Sequence, residues 1–228
     1  MYEVYRRNQR RRMQTVSYTT YSHLQMTSEW EFQPFGPLGY CLDTLQQPDC
    51  EVTRGPFREV TVVTYLLSGT LTVEVASASD VQLGPRDYSV TTPRDGDSIV
   101  YRTGTEEAHF VEIGLTTLSD DSASSNRVGH VSRTRRSPDL GCLVSGQGHG
   151  DVPGISLDSA VYRGYMRAGE NLIFETLLSR KLFLLVLRGT VRLEQDRLLS
   201  RDAAFIRRVS SVPIAAVQTT ELLLVDMA

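Results

Sequence analysis

The chain contains YLLSGTLTVE at Tyr65–Glu74 and LVLRGTVRLE at Leu185–Glu194. Each stretch places an apolar, strand-like run before a Gly-Thr pair and an alternating run ending in glutamate after it. Two such runs joined through glycine are typical of a β-hairpin. An aspartate that begins a further strand follows each hairpin, Asp87 in the first and Asp202 in the second. The 120-residue offset between the copies predicts two tandem β-barrels of the jelly-roll kind.

The remaining sequence also favours an all-β chain, because no stretch of comparable length has convincing helical periodicity. Residues 118–137 read LSDDSASSNRVGHVSRTRRS, a polar and serine-rich composition that predicts a linker. Residues 1–14 contain five arginines, and we expect a disordered basic tail, with a phosphate-binding arm as the alternative. The predicted domains are a tail at 1–14, an N-terminal barrel at 15–117, the linker at 118–137 and a C-terminal barrel at 138–228. Further strands are predicted at 88–92, 98–102, 108–115, 154–167, 172–178, 203–207 and 222–226.

Composition limits the classes of partner. The 228 residues, 40% of them hydrophobic, suffice to build two cores, and a net charge of −3 does not suit a nucleic-acid partner. The N-terminus has no apolar signal core, and no run reaches the roughly 18 apolar residues of a membrane span. Three cysteines, an odd number, fit a reducing compartment. We therefore expect a cytoplasmic monomer or homodimer that binds neither nucleic acid nor membrane.

The chain resembles the pirin-like family of two-barrel cupins. Its Gly55–Arg58 segment, followed by Val62–Gly69, is similar to a family motif in which His-Pro-His-Arg leads into a strand and a glycine turn. This resemblance implies two cupin barrels, each a double-stranded β-helix, over about residues 20–227. Segments of the C-terminal half that follow the family's order are Leu143–Ser145, Asp158–Tyr162, Arg167–Glu170, Asp202–Phe205 and Leu222–Asp226.

The resemblance also implies where the family's metal would bind. Two histidines of the first motif fall on Gly55 and Phe57, and the later histidine and glutamate fall on Tyr101 and Thr103. None of the four supplies an imidazole, carboxylate or thiolate, the donors that iron or nickel requires. The family's quercetin oxygenase activity depends on that metal. We therefore expect no metal, no cofactor and no such oxygenase activity.

The same positions predict a pocket. Because alternate strand residues face the barrel interior, Gly55, Phe57, Tyr101 and Thr103 would line a small apolar cavity, with Arg58 at its mouth. A small aromatic or lipid-like ligand would suit this cavity; the alternative is that Phe57 and Tyr101 simply fill the barrel. Arg58 could also pair with a neighbouring carboxylate at the surface.

Three residues are candidates for proton transfer: Glu112, Tyr101 and His109. On strand 109–115, Glu112 shares a face with Phe110, and His109 lies on the opposite face. An inward carboxylate would have a raised pKa and could act as a general acid or base. A solvent-facing Glu112 is the commoner arrangement and the one we expect.

The leading hypothesis is a metal-free bicupin that binds a small molecule or a protein partner without redox turnover. A second hypothesis is a cofactor-independent isomerase or cyclase of small-molecule secondary metabolism, using Tyr101, Glu112 or His109. A third hypothesis is a redox sensor acting through Cys41, Cys50 or Cys142. Whether the protein is an enzyme stays open at this point.

Overall fold

The computed structural model describes residues 1–24, 34–117, 125–131, 137–146 and 152–228. Within these ranges the regular structure is β-strand, apart from a short 3-10 turn at Arg7–Gln9. The strands are β1 (Tyr2–Tyr5), β2 (Arg11–Gln14), β3 (Tyr18–Ser22), β4 (Leu38–Gln46), β5 (Glu51–Arg54), β6 (Val60–Ser68), β7 (Leu71–Val75), β8 (Ala78–Leu83), β9 (Asp87–Thr92), β10 (Ile99–Thr103), β11 (Ala108–Thr116), β12 (Ser125–His130), β13 (Asp139–Ser145), β14 (Ser159–Met166), β15 (Asn171–Glu175), β16 (Lys181–Arg188), β17 (Thr190–Leu193), β18 (Asp196–Leu199), β19 (Ala203–Arg207), β20 (Ser211–Ala216) and β21 (Thr220–Met227).

The strands form two units, Arg11–Val131 and Met1–Arg10 with Ser132–Ala228. In the N-terminal unit, a seven-stranded sheet of order β12-β9-β6-β11-β4-β3-β2 faces a four-stranded sheet of order β5-β10-β7-β8. Their inner faces share one apolar core that includes Leu66 and Phe110 from the larger sheet and Val73 and Tyr101 from the smaller. Two facing antiparallel sheets around one core make the predicted jelly-roll barrel.

The C-terminal unit repeats this arrangement. A six-stranded sheet of order β1-β19-β16-β21-β14-β13 accompanies a four-stranded sheet of order β15-β20-β17-β18. Alternate residues of β16, Leu182, Leu184 and Val186, are buried in its core together with Val191 and Ile214 of the smaller sheet. The all-β, two-barrel fold class is therefore confirmed. Among the described residues there is no helix with the length and apolar character that crossing a membrane requires.

The two hairpins that predict the repeat have the same turn geometry. Gly69, between β6 and β7, has φ 82°, and Gly189, between β16 and β17, has φ 86°. A β-carbon would approach the carbonyl oxygen of Glu107 to 2.4 Å at Gly69 and that of Thr219 to 2.2 Å at Gly189. Both turns therefore need glycine for its positive φ and for the space its missing side chain leaves.

The repeated aspartates close equivalent turns. Asp87 Oδ2 accepts a hydrogen bond of 2.7 Å from the backbone N–H of Gly84, and Asp202 Oδ2 accepts one of 3.0 Å from that of Leu199. Each carboxylate thereby satisfies a backbone donor three residues earlier, immediately before a core strand. This shared role explains why an aspartate follows each hairpin in the sequence.

The predicted disordered tail at 1–14 is wrong. Strand β1 pairs with β19, and β2 pairs with β3. Asp202 fixes the segment between them by accepting hydrogen bonds from the backbone N–H of Arg7 at 2.7 Å and from the Arg6 guanidinium at 3.2 Å. The arginine-rich composition led to the prediction of disorder. A strand at a sheet edge, however, is held by backbone hydrogen bonds and can form with few apolar side chains.

The predicted linker at 118–137 is also partly wrong. Residues Ser125–His130 form β12, which pairs with β9 at the edge of the seven-stranded sheet. The Asn126 side chain accepts a hydrogen bond from the Thr91 hydroxyl at 2.9 Å and donates one to the Val73 carbonyl at 3.0 Å. The N-terminal unit therefore extends to Val131 rather than ending at residue 117. Residues 118–124 and 132–136 lie outside the described part of the chain.

Candidate functional site

A cavity of about 510 Å³ opens at one side of the N-terminal barrel. This volume lies within the range of about 300–1,000 Å³ that small-molecule sites usually have. Strands β3, β4 and β5 and the segment directly after β5 form its walls. The lining residues are Tyr18, Tyr40, Leu42, Thr53, Arg54, Gly55, Pro56 and Phe57.

Aromatic rings form much of the wall. The rings of Tyr40 and Phe57 are stacked, with centroids 6.4 Å apart and planes inclined by 18°. The Tyr40 ring lies over Gly114 of β11, where a β-carbon would come within 2.1 Å of it. Both rings are partly exposed, so their surfaces remain available to a planar molecule.

Arg54 supplies positive charge at the cavity wall. It ends β5, is 6% exposed, and its guanidinium carbon lies 4.8 Å from the centroid of the Tyr18 ring. One guanidinium nitrogen donates a 2.9 Å hydrogen bond to the Thr20 hydroxyl, which in turn lies 2.9 Å from the Thr44 hydroxyl. Burial lowers the pKa of Arg54, but the Glu112 carboxylate and Tyr18 more than offset this and leave it raised. The guanidinium is therefore a fixed cation.

Glu112 lies behind Arg54 on the inner face of β11 and is fully buried, so the expected solvent-facing position is wrong. Its Oε2 is 3.5 Å from Arg54 Nε and 3.5 Å from the Thr44 hydroxyl. Its Oε1 accepts no hydrogen bond from any described residue. Burial raises the pKa of the Glu112 carboxyl, and Arg54 and the Tyr101 hydroxyl only partly oppose this rise.

Tyr101 belongs to the barrel core rather than to the cavity wall. It is fully buried, its ring centroid lies 5.1 Å from that of Phe110, and its hydroxyl is 3.1 Å from that of Thr64. Burial and the nearby Glu112 carboxylate hold the pKa of Tyr101 well above its usual value. The phenol therefore stays protonated and can donate a hydrogen bond.

The other predicted pocket residues divide into two groups. Gly55 and Phe57 line the cavity. Thr103 lies at the end of β10, where its hydroxyl donates to the Gln47 carbonyl at 2.6 Å and accepts from the Cys50 N–H at 3.0 Å. The Arg58 side chain is 81% exposed and pairs with a surface aspartate at 3.4 Å. Placing Thr103 and Arg58 in the pocket was therefore wrong, because each has a partner elsewhere.

His109 is separated from the other two proton-transfer candidates by the thickness of the sheet. It lies on the opposite face of β11 from Glu112, and its Nε2 is 2.7 Å from Oδ1 of the buried Asp43 on β4. The other oxygen of Asp43 is 3.8 Å from Nε2 of the buried His23. Of the three proton-transfer candidates, only Tyr101 and Glu112 are neighbours.

The three cysteines are free thiols. Cys41 is buried, and burial raises the pKa of Cys142. Reactive thiols are usually exposed and have a lowered pKa, so Cys41 and Cys142 lack the surroundings of a redox sensor.

Comparisons with known proteins show which fold this geometry has. Residues 142–227 match the family model of the quercetinase C-terminal cupin domain. YhhW from Escherichia coli has a TM-score of 0.90 at 16% identity, with the match covering 100% of this chain and 98% of that one. The chain is therefore a bicupin of pirin-like fold. The Escherichia coli bacterial pirin YhhW in complex with nickel(II) matches this bicupin with a TM-score of 0.85 at 16% identity, over 100% and 99% of the two chains.

A quercetin 2,3-dioxygenase from Acinetobacter baumannii shares the bicupin fold more distantly. Its TM-score is 0.77 at 10% identity, and the match covers 99% of this chain and 78% of that one. No curated protein sequence matches the bicupin.

The residues of this bicupin do not fit the metal that the family implies. At the positions equivalent to the family's ligands, Gly55 and Phe57 have no donor atom, the Tyr101 phenol is held protonated, and the Thr103 hydroxyl binds backbone. The Glu112 carboxylate, which interacts with Tyr101, already lies beside the Arg54 cation, and that cation would repel a metal ion. In the described ranges, no three His, Cys, Asp or Glu side chains come together as a metal site.

Arg54, which supplies the positive charge of the cavity wall, was not among the residues predicted for the pocket. A signal for it was available, because buried and exposed residues alternate along β5 and Arg54 shares its inward face with Val52. Glu112 and Thr44 were not linked to Arg54, since they lie on other strands and meet it only in the folded barrel.

Proposed function

We propose that the N-terminal barrel binds a small planar molecule without using a metal. The observation that carries this proposal is the cavity wall, where the stacked and partly exposed rings of Tyr40 and Phe57 lie beside Arg54. An aromatic pair of this kind favours a flat, unsaturated ligand over a flexible aliphatic one. A few fixed polar groups in an otherwise apolar pocket then set its orientation.

The donor set supports metal independence. Two proteins of similar fold are a bacterial pirin YhhW that binds nickel(II) and a quercetin 2,3-dioxygenase. Here an arginine of the cavity wall lies beside a buried carboxylate, and such a pair suits hydrogen bonding and charge recognition rather than cation coordination. We therefore propose binding without redox turnover as the activity of this barrel.

Isothermal titration calorimetry with two planar probes, quercetin and trans-cinnamate, tests this function on full-length protein pretreated with EDTA. We expect one site per chain, an unchanged Kd after chelation, and no product from quercetin. Phe57→Ala should weaken binding roughly fivefold, since an aromatic pair contributes about 0.5–1.5 kcal/mol. Leu199→Ala, a partly exposed position in the C-terminal unit, is the matched control and should leave Kd unchanged. Failure of both probes to bind would refute the proposal.

A second candidate function is favoured by the proximity of Glu112 and Tyr101. A buried carboxyl with a raised pKa beside a protonated phenol is an arrangement that can move a proton on a bound molecule, as an isomerase or cyclase does. Turnover of a candidate substrate should then survive chelation and fall at least about 100-fold in Glu112→Gln. Wild-type rates in both Glu112→Gln and Tyr101→Phe would remove these residues from the mechanism.

A further inference from the structure

Arg54 and Glu112 form a charge pair of which only one member reaches the cavity. Arg54 lines the cavity, whereas Glu112 is fully buried behind it. Arg54 Nε lies 3.5 Å from Glu112 Oε2, and Oε1 of the carboxylate has no hydrogen-bond partner among the described residues. The guanidinium therefore has the Glu112 carboxylate on the barrel side and lines the ligand space on the other.

We infer that the ligand of this cavity is an organic acid, bound as its anion at Arg54, and that Glu112 takes up a proton when it binds. This inference rests on the proposed function and adds the charge of the ligand. The planar fork of a guanidinium suits a carboxylate better than it suits a neutral amide or alcohol. The rings of Tyr40 and Phe57 then hold the planar remainder of the acid.

Proton uptake is expected because Glu112 and the bound carboxylate would interact with the same Arg54 guanidinium. In the free protein, Arg54 opposes the effect of burial and favours the ionised form of Glu112. A bound carboxylate would neutralise the same guanidinium and add a negative charge, so two carboxylates would compete for one cation. The completely buried Glu112 would then bind a proton from solvent, and the complex would keep one negative and one positive charge.

Among the residues that the structure describes, no other titratable group facing Glu112 explains such uptake. Facing Glu112 are Arg54 from β5, Tyr101 from β10 and Tyr40 from β4, with Tyr18 of β3 against the guanidinium. Burial raises the pKa of Tyr40 and of Tyr101 well above 10.0, so neither gains a proton near neutrality. The Asp43–His109 pair lies on the outer face of the sheet.

Calorimetry on the full chain tests the inference with trans-cinnamate and its neutral match, cinnamamide, in buffers of different ionisation enthalpy between pH 5.5 and 8. The cinnamate carboxyl is ionised throughout this range. We expect cinnamate to bind more tightly than cinnamamide, with uptake of up to one proton and a Kd that rises by up to about tenfold per pH unit. Arg54→Gln should abolish the preference for the acid.

Glu112→Gln should still bind cinnamate, but without proton uptake and with a Kd independent of pH. His109→Gln, on the other face of β11, should keep the wild-type slope. Proton uptake measured on the wild-type protein tests the inference even if a variant does not fold. Binding of cinnamate without uptake, or equal binding of cinnamamide, would overturn the inference and leave the proposed function intact. Absence of binding by both cinnamate and cinnamamide would overturn the inference, and the proposed function would fall with it only if quercetin also failed to bind.

Discussion

Replacing Arg54 by methionine should destabilise the N-terminal barrel, and by more at high pH than at low pH. The guanidinium is 6% exposed and lies 3.5 Å from a fully buried carboxylate. At an effective dielectric constant of about 20, two unit charges at that separation attract by about 5 kcal/mol. Removing one member of a buried pair typically costs about 3–5 kcal/mol, because the other charge is left uncompensated. We therefore expect a loss of about 3–5 kcal/mol at pH 8.

The dependence on pH follows from the raised pKa of the Glu112 carboxyl. Burial raises the pKa of this carboxyl in the folded state, and loss of Arg54 removes the main opposing influence. A raised folded-state pKa gives stability that is present below the unfolded pKa and is lost as pH rises through the folded value. At pH 5 the variant can bury a neutral carboxyl, so the loss should shrink to about 1–2 kcal/mol, the contribution of the hydrogen bond to Thr20.

Native-state hydrogen exchange with peptide mass spectrometry measures this loss separately in each unit. Peptides from 38–46 and 108–116 report on the N-terminal barrel. Arg163→Met is the matched control, because it removes a buried arginine that contacts Glu221 at 3.0 Å in the C-terminal unit. It should leave the N-terminal peptides unchanged. A loss in Arg54→Met below about 1 kcal/mol at pH 8, or one independent of pH, would refute the reasoning.

Four further predictions concern the fold and the predicted site residues. Gly69→Ala and Gly189→Ala should each lower the stability of its own barrel by roughly 2–4 kcal/mol, measured by hydrogen exchange, because both glycines combine a positive φ with a contact under 2.5 Å. Asp202→Ala should speed proteolytic cleavage within the first ten residues, because the segment loses its carboxylate acceptor. Thr103→Val should cost about 1–3 kcal/mol of stability and leave the cinnamate Kd unchanged, since its hydroxyl binds backbone outside the cavity. Cys142 should react with iodoacetamide at a higher pH than an unperturbed thiol, because burial raises its pKa.

The fold could be predicted because its signals are local. The apolar runs before Gly69 and Gly189, and the aspartates after them, lie within short windows of sequence, and their repetition identifies the barrel twice. The strands at 2–5, 11–14 and 125–130 could not be predicted in the same way. They lie at sheet edges, where backbone pairing holds them, and the side chains of 11–14 and 125–130 are mostly polar.

The candidate site was predictable only in part for a similar reason. Gly55 and Phe57 lie in a short motif that can be read locally, and both line the cavity. Arg54 pairs with Glu112, 58 residues further along the chain, and no local pattern indicates a contact between strands of two different sheets. Side chains alternate between the two faces of β11, so Glu112 points into the barrel and His109 points to the opposite face of the sheet.

The most direct test of the central claim is the stoichiometry and Kd of trans-cinnamate, measured by calorimetry on full-length protein before and after removal of metal by EDTA, with metal content determined in parallel. We predict one cinnamate per chain, the same Kd in both preparations, and metal well below one equivalent. Binding that disappears on chelation and returns with one equivalent of nickel or iron would contradict the account.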